Sequence, residues 1–459
     1  MDTRKRMRFT AIEETEDAIT VETTGARYVF DTSTGERPGR GGHIECTQLI
    51  NGVRRIARID LNVSFEHLTL ESPNVADSDD ALHAACVLNA IPIESSCQFL
   101  RIEVHPDSLL EVFATLPLEL TVSSGLDARY EADTQGHLLL IDGSGGIGMY
   151  PYRGLRDREM THTGEGQTSE WRVRYQLERD CRFLFSVFPP REFELDQYYE
   201  ECIVHHGTIQ PWVVPPFPTD AMIEEASEHT RVLVLHEGLW AGKLTREGRP
   251  VETVADLYAE GAYVSHDFEA FDDAELRRTV GTAHKLGMRV IPYMSPYYSS
   301  ARGRMFWHNV EERLAQYDMD GLYFDGISHD ILESYDMIRT ARNVVGDGSL
   351  YVHCTSDPVS KNLFCPFIDT HADYILRAEH ATALSDSYLR YVISGTNISN
   401  SIGHLCYYDF PVDTLRETIE KALEYRFRFY LGSPETELER VLLKEYFPRL
   451  QKEGAARER

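Results

Sequence analysis

The chain has 459 residues and carries 74 acidic against 46 basic side chains, a formal charge of −28. That length exceeds one ordinary core and predicts two domains with a small appendage. An apolar share of 42%, with 24 Tyr, 20 Phe and 4 Trp, excludes disorder as the source of the charge, and the charge itself makes nucleic acid and anionic membrane poor partners.

Only seven of the basic residues are lysine; the rest are arginine. An acidic, lysine-poor composition resembles that of proteins from salt-accumulating halophiles, where a Debye length of about 3 Å at molar salt screens self-repulsion. The opening MDTRKRMRF is followed by no apolar run, so no signal peptide is expected. No stretch approaches the roughly 18 apolar residues of a membrane span. Eight cysteines are scattered without a CxxC pair or metal-ligand spacing, as buried thiols of a cytoplasmic protein would be. Homo-oligomer formation is left open.

The pattern predicts a multidomain chain: an all-β sandwich, an α/β (β/α)8 TIM-type barrel, and C-terminal helices. Over 1–205, short runs of period-2 alternation (AITVETTGARYVF, RRIARIDLNVSF, FLRIEVH, EWRVRYQLERDCRFLFSVF) are separated by turn signals such as DTSTG and GRGG. That is a sandwich pattern, not a βαβ pattern. Gly143-Ser-Gly-Gly-Ile-Gly148 matches GxGxxG formally, but Pro151 spoils the helix a dinucleotide site requires, so it reads as a sandwich turn and no cofactor is expected.

A Pro-rich linker over 206–218 precedes a barrel over 219–432. Its predicted strands are RVLVLHE, AYVSHDF, MRVIPYM, GLYFDG, LYVHCT and ADYILRAE, alternating with amphipathic helices at a repeat of roughly 25–35 residues. RYVISG and GHLCYYDF are the weaker seventh and eighth strands. Helices over about 412–430 and within 433–459 finish the chain.

Functional side chains of such a barrel cluster at the C-terminal strand ends. Those ends carry His236 and Glu237, His266 and Asp267, Tyr293, Asp325, His353, and Arg377 with Glu379. In Asp320-Gly-Leu-Tyr-Phe-Asp-Gly326, alternation sets Tyr323 and Asp325 on one face, opposite Leu322 and Phe324. Asp325 could instead cap the next helix, but Ser328 and Asp330 are better placed for that. Glu379 supplies a second carboxyl, or an ion pair with Arg377; Asp373 and Asp267 are its substitutes. Two carboxyls across a barrel mouth suit glycoside hydrolysis, about 5–5.5 Å apart for retention and about 6.5–9.5 Å for inversion. Trp240, Tyr293, Tyr297, Tyr298, Phe306 and Trp307 offer sugar platforms or core filling, and Arg302 with Arg304 would hold an anionic sugar or neutralise nearby acid.

This layout, with an Asp ending the fourth strand and an acid ending the sixth, resembles the retaining glycoside hydrolases of the α-galactosidase and α-glucosidase type. HKLGMRVIPYMSP followed by DGLYFDGIS is also similar to a loose set of poorly characterised barrel hydrolases. The resemblance implies a carbohydrate substrate, Asp325 as nucleophile and Glu379 as acid/base. His236, Glu237, Trp240, His266, Asp267, Tyr293, Tyr323, His353, Arg377, Arg302 and Arg304 would then bind substrate. Tyr323 stands where the α-galactosidase pattern has Lys, so sugar specificity is not carried over. The strand-end histidines, with His371 and His380, raise a metal-dependent hydrolase as an alternative. The usual His-x-His is here His236-Glu237, so no metal is expected. A non-catalytic carbohydrate-binding protein is the third reading.

Overall fold

The computed structural model describes residues 7–31, 42–50, 54–63, 65–71, 84–92, 99–126, 129–132, 136–142, 145–189, 191, 203–206, 217–228, 230–236, 239–241, 268–270, 272–296, 299–325, 330–353, 366–376, 400–403, 413, 416–417, 420, 428–433, 445–446 and 449. The chain divides into two compact units. The first comprises Met1–Glu192 with the short returns Phe364–Thr370 and Thr396–Ile398.

Fourteen strands make one antiparallel sheet in the first unit. They are β1 (Phe9–Glu14), β2 (Ala18–Thr23), β3 (Ala26–Asp31), β4 (His43–Gln48), β5 (Arg54–Asp60), β6 (Phe65–Glu71) and β7 (Cys86–Pro92), then β8 (Leu100–Val104), β9 (Leu109–Ala114), β10 (Leu118–Ser124), β11 (Arg129–Ala132), β12 (Leu138–Asp142), β13 (Gly145–Thr163) and β14 (Glu170–Phe188). Period-2 alternation drives them: every second residue of β2, β4 and β8 is buried, the apolar ones in a single core. The first half of β14 pairs with β10 and the second half with β9, so one long strand serves both flanks. The switch is marked by register shifts in β13 and by Gly154 at φ +83°, where a Cβ would sit 2.9 Å from that of Cys181.

The expected two-layered sandwich is met in part. The antiparallel sheet is there, and it folds back so that the Tyr28 hydroxyl of β3 donates to Ser108 O at 2.6 Å beside β9. Of the Gly143–Gly148 segment, Gly145–Gly148 lie in β13 paired with β12, while Gly143 and Ser144 lie outside the described residues. Helix α5 (Pro366–Asp369) also belongs to this unit, with Phe367 edge-on to Tyr150.

In the second unit eight parallel strands close a barrel in chain order. They are β15 (Ile203–His206), β16 (Val232–Leu235), β17 (Arg289–Met294), β18 (Gly321–Asp325), β19 (Ser349–His353), β20 (Tyr374–Leu376), β21 (Asn400–Gly403) and β22 (Arg428–Ser433), and β22 pairs back to β15. Helices α1 (Asp220–Ser227), α2 (Asp273–Lys285), α3 (Arg304–Tyr317) and α4 (Ile331–Val345) occupy four of the connections. α2 buries Leu276, Val280 and Ala283 at helical spacing. Asp330 caps α4 by accepting from Leu332 N at 3.0 Å, which answers the capping alternative for Asp325.

Three sequence expectations are corrected here. Residues 203–206, assigned to the end of the sandwich and the start of the linker, form the first barrel strand; two histidines in IVHH hide it. β16 pairs directly with β17, Val232 opposite Arg289, and residues 262–267 of the expected strand AYVSHDF lie outside the described residues. Residues 428–430, placed at the end of the helix expected over 412–430, belong to β22, and the seventh strand is Asn400–Gly403, whose Asn-Ser start reads as a turn. RYVISG lies outside the described residues. The described residues 413, 416, 417, 420, 445, 446 and 449 are helical, and Arg449 donates to Glu420 at 2.7 and 3.0 Å. Among the described residues, no helix is long and apolar enough to cross a membrane.

Candidate active site

Parallel register decides which side chains meet. Positions paired across parallel strands point to the same face, so aligned residues become neighbours. Tyr293 pairs with Tyr323 and Tyr323 with Tyr351; one step on, Asp325 pairs with His353. The strand sequences Gly321-Leu-Tyr-Phe-Asp325 and Ser349-Leu-Tyr-Val-His353 therefore run side by side, like with like. Leu322 and Phe324 face away, and Phe324 packs against Trp307 of α3 at 5.4 Å between centroids.

The inward rings fill the barrel. Tyr323 and Tyr351 stack at 4.3 Å, His236 stacks on Tyr323 at 5.2 Å, and His205 stacks on His236 at 5.0 Å. Ring pairs of this kind contribute about 0.5–1.5 kcal/mol each beyond the area they bury. Beneath them, Arg289 donates to Ser349 Oγ at 2.6 Å and to the Tyr374 hydroxyl at 2.7 Å.

Asp325 lies at the end of β18 above this stack. The Tyr293 hydroxyl donates to its Oδ2 at 2.5 Å, and His353 Nδ1 stands 2.7 Å from Oδ1 in ion-pair contact. Ser295 Oγ donates to the Asp325 carbonyl at 3.1 Å, fastening the ends of β17 and β18 together. The Asp325 side chain is 15% exposed, against 7% for His353. Burial is the largest single influence on the carboxyl and pushes its pKa up. The charge and hydrogen bond of His353, the Tyr293 hydroxyl and the charge of His236 outweigh it, so Asp325 is held below the ordinary carboxylate value of 3.8. A partly buried carboxylate kept ionised can attack a carbon electrophile or stabilise a cation beside it.

The structure brings His236, Tyr293, Tyr323, Asp325 and His353 together. Glu237, His266, Asp267, Arg377, Glu379, Tyr297 and Tyr298 lie outside the described residues. Tyr323 is fully buried in the stack rather than open to a sugar. Trp240 is likewise buried, donating from Nε1 to Tyr293 O at 3.3 Å, so it supports the site from behind instead of forming a platform. Phe306 is core and Trp307 packs on it at 4.9 Å. Arg302 is exposed and donates to the carbonyls of Pro296 and Ala301, holding its own loop; Arg304, also exposed, opens α3.

Asp373 is not a spare acid. It sits at the opposite end, before β20, and accepts from Arg342 Nη2 at 2.6 Å and Leu350 N at 2.8 Å. Sequence reading missed His205 and Ser295. The recurrence of Tyr in IPYMS, GLYFD and SLYVH was the signal that could have fixed the register and, with it, the Asp325–His353 pair. Among the described residues, no group of three or more His, Cys, Asp or Glu could hold a metal ion.

No protein-family model matches this chain, and no curated protein matches it in sequence. Solved structures do match in shape, at low likeness. The catalytic subunit complex of ER glucosidase II is 8% identical at a TM-score of 0.38, covering 93% of this chain and 66% of its own. A noncanonic maltogenic α-amylase from Thermotoga neapolitana is 11% identical at a TM-score of 0.36, covering 52% and 68%. A 2,3-dimethylmalate lyase is 11% identical at a TM-score of 0.31, covering 57% and 85%. The chain thus spans just under two thirds of the glucosidase II chain. Glycoside hydrolases stand among these neighbours beside an enzyme of other chemistry, and likeness at this level assigns no reaction.

Proposed function

We propose that the protein is a glycoside hydrolase acting on oligosaccharides or chain ends, built on a (β/α)8-type barrel, with Asp325 as the nucleophile of a retaining mechanism. The observation that carries the reading is the carboxylate of Asp325 at the C-terminal end of a barrel strand, gripped on both oxygens by Tyr293 and His353 and held ionised. In the first step an Asp325 oxygen bonds to the anomeric carbon, and the bond to the aglycone breaks. The aglycone oxygen keeps the electron pair and takes a proton from the acid, for which Glu379 is the candidate. Water reverses the sequence, with the same group now acting as base. A salt-rich cytoplasm is the setting that the acidic, lysine-poor composition favours.

The test is a screen of chromogenic glycosides in about 2–3 M KCl, where self-repulsion is screened, pairing wild type with Asp325→Asn. Release from one glycoside, lost in the variant while folding and sugar binding persist, is the expected result. A fully active Asp325→Asn would overturn the assignment.

A further inference from the structure

Resting on Asp325 as nucleophile, we infer that His353 is a positioning residue that makes the Asp325 carboxylate a competent leaving group in the second half of the reaction, with Tyr293 as its partner on the other oxygen. Sequence reading gave both residues to sugar hydroxyls, but the geometry turns them toward the carboxylate. His353 Nδ1 is 2.7 Å from Oδ1, and the Tyr293 hydroxyl is 2.5 Å from Oδ2. Both are more buried than Asp325, so the carboxylate stands in front and its two supports behind.

Charge accounting then separates the two steps. When Asp325 becomes a glycosyl ester it loses its negative charge, and a cation on His353 loses its counter-charge. When the ester breaks, the electron pair of the carbon–oxygen bond returns to Asp325, and the charge reappears beside the imidazolium. In that step the water oxygen forms the new bond to the anomeric carbon, and its proton passes to the group that had protonated the aglycone. A positively charged partner therefore opposes ester formation and favours ester breakdown. His236, just after β16, stacks on Tyr323 from the same side; Tyr323 of β18 and Tyr351 of β19 are neutral rings packed beneath. Two donors also fix the plane of the carboxylate, so the oxygen that attacks is the oxygen that later leaves.

The test compares wild type, His353→Gln and Tyr293→Phe on the 2,4-dinitrophenyl glycoside of whichever sugar the screen releases, by stopped-flow absorbance. The expected result is an undiminished burst of one dinitrophenolate per protein, followed by a steady rate about tenfold below wild type. Added methanol, a second acceptor for the glycosyl group, should partly restore that rate. Carbon NMR of labelled aspartate, recorded without substrate, should show the Asp325 titration moved upward in both variants. A slowed burst with an unchanged steady rate would overturn the inference, as would an unmoved Asp325 titration. Absence of release from every glycoside in wild type sinks the nucleophile reading itself, while the NMR titration still decides whether the two-sided clamp exists. Should His353→Gln fail to fold, Tyr293→Phe, which deletes only a hydroxyl, carries the same expectations.

Discussion

At Asp325, opposing influences are resolved by contact. Burial alone would push the carboxyl toward its neutral form, and neutral aspartic acid is a poor nucleophile. Partners on both oxygens reverse that outcome and depress the pKa below 3.8. The consequence for stability has a definite sign. A carboxyl whose native pKa is lowered stabilises the fold above its unfolded value, and that contribution disappears as pH falls through the native value. Between pH 6 and about 3, wild type should therefore lose more stability than Asp325→Asn, read as urea midpoints at fixed KCl. Parallel midpoint curves for the two proteins would contradict the pKa argument. Under the proposed function, the same depression predicts an acid limb of kcat/KM lying below the ordinary carboxylate range, since a nucleophilic Asp325 would have to be ionised in the free enzyme.

At the scale of elements, the barrel uses one device twice. Asp320, just before β18, donates its N–H to Val290 O at 2.9 Å and accepts from Val290 N at 2.7 Å. Asp373, just before β20, does the same with Leu350, at 2.8 Å each way. Each aspartate thus closes a ring onto the neighbouring strand and pins its register, and each is backed by a base: His284 at 2.8 Å for Asp320 and Arg342 at 2.6 Å for Asp373. Asp320→Ala strands a buried N–H and should cost about 1–3 kcal/mol. Asp373→Ala also strands the largely buried Arg342 and should cost about 3–5 kcal/mol. Denaturant midpoints check both; losses under about 0.5 kcal/mol, the range of ordinary surface changes, would show that the rings do not hold the register. These pins also mark what was legible. Alternation in DGLYFDG gave the face of Tyr323 and Asp325 correctly, because a period of two is local information. The partner His353 was not legible without register, which is a relation between strands. β15 escaped because a four-residue strand holding two histidines has no apolar run, and Trp240 was misread because one aromatic in a loop does not reveal what covers it.

For the whole molecule, a formal charge of −28 should make stability depend on salt more steeply than any single ion pair explains. The thermal midpoint should rise steadily from about 0.1 to 2–3 M KCl as the Debye length shortens from about 10 to 3 Å. A flat or falling midpoint would remove the halophilic reading. The sheet-rich first unit and the closed barrel were legible as classes from alternation and from the strand–helix repeat, whereas three of the barrel's strands, β15, β21 and β22, match no expected strand. The filled interior of that barrel carries a last consequence. Among the described residues, stacked tyrosine and histidine rings, with Arg289 bridging Ser349 and Tyr374 beneath them, fill the barrel below Asp325. Under the proposed function, packed rings below the nucleophile would suit trimming from a chain end over threading a chain through the barrel.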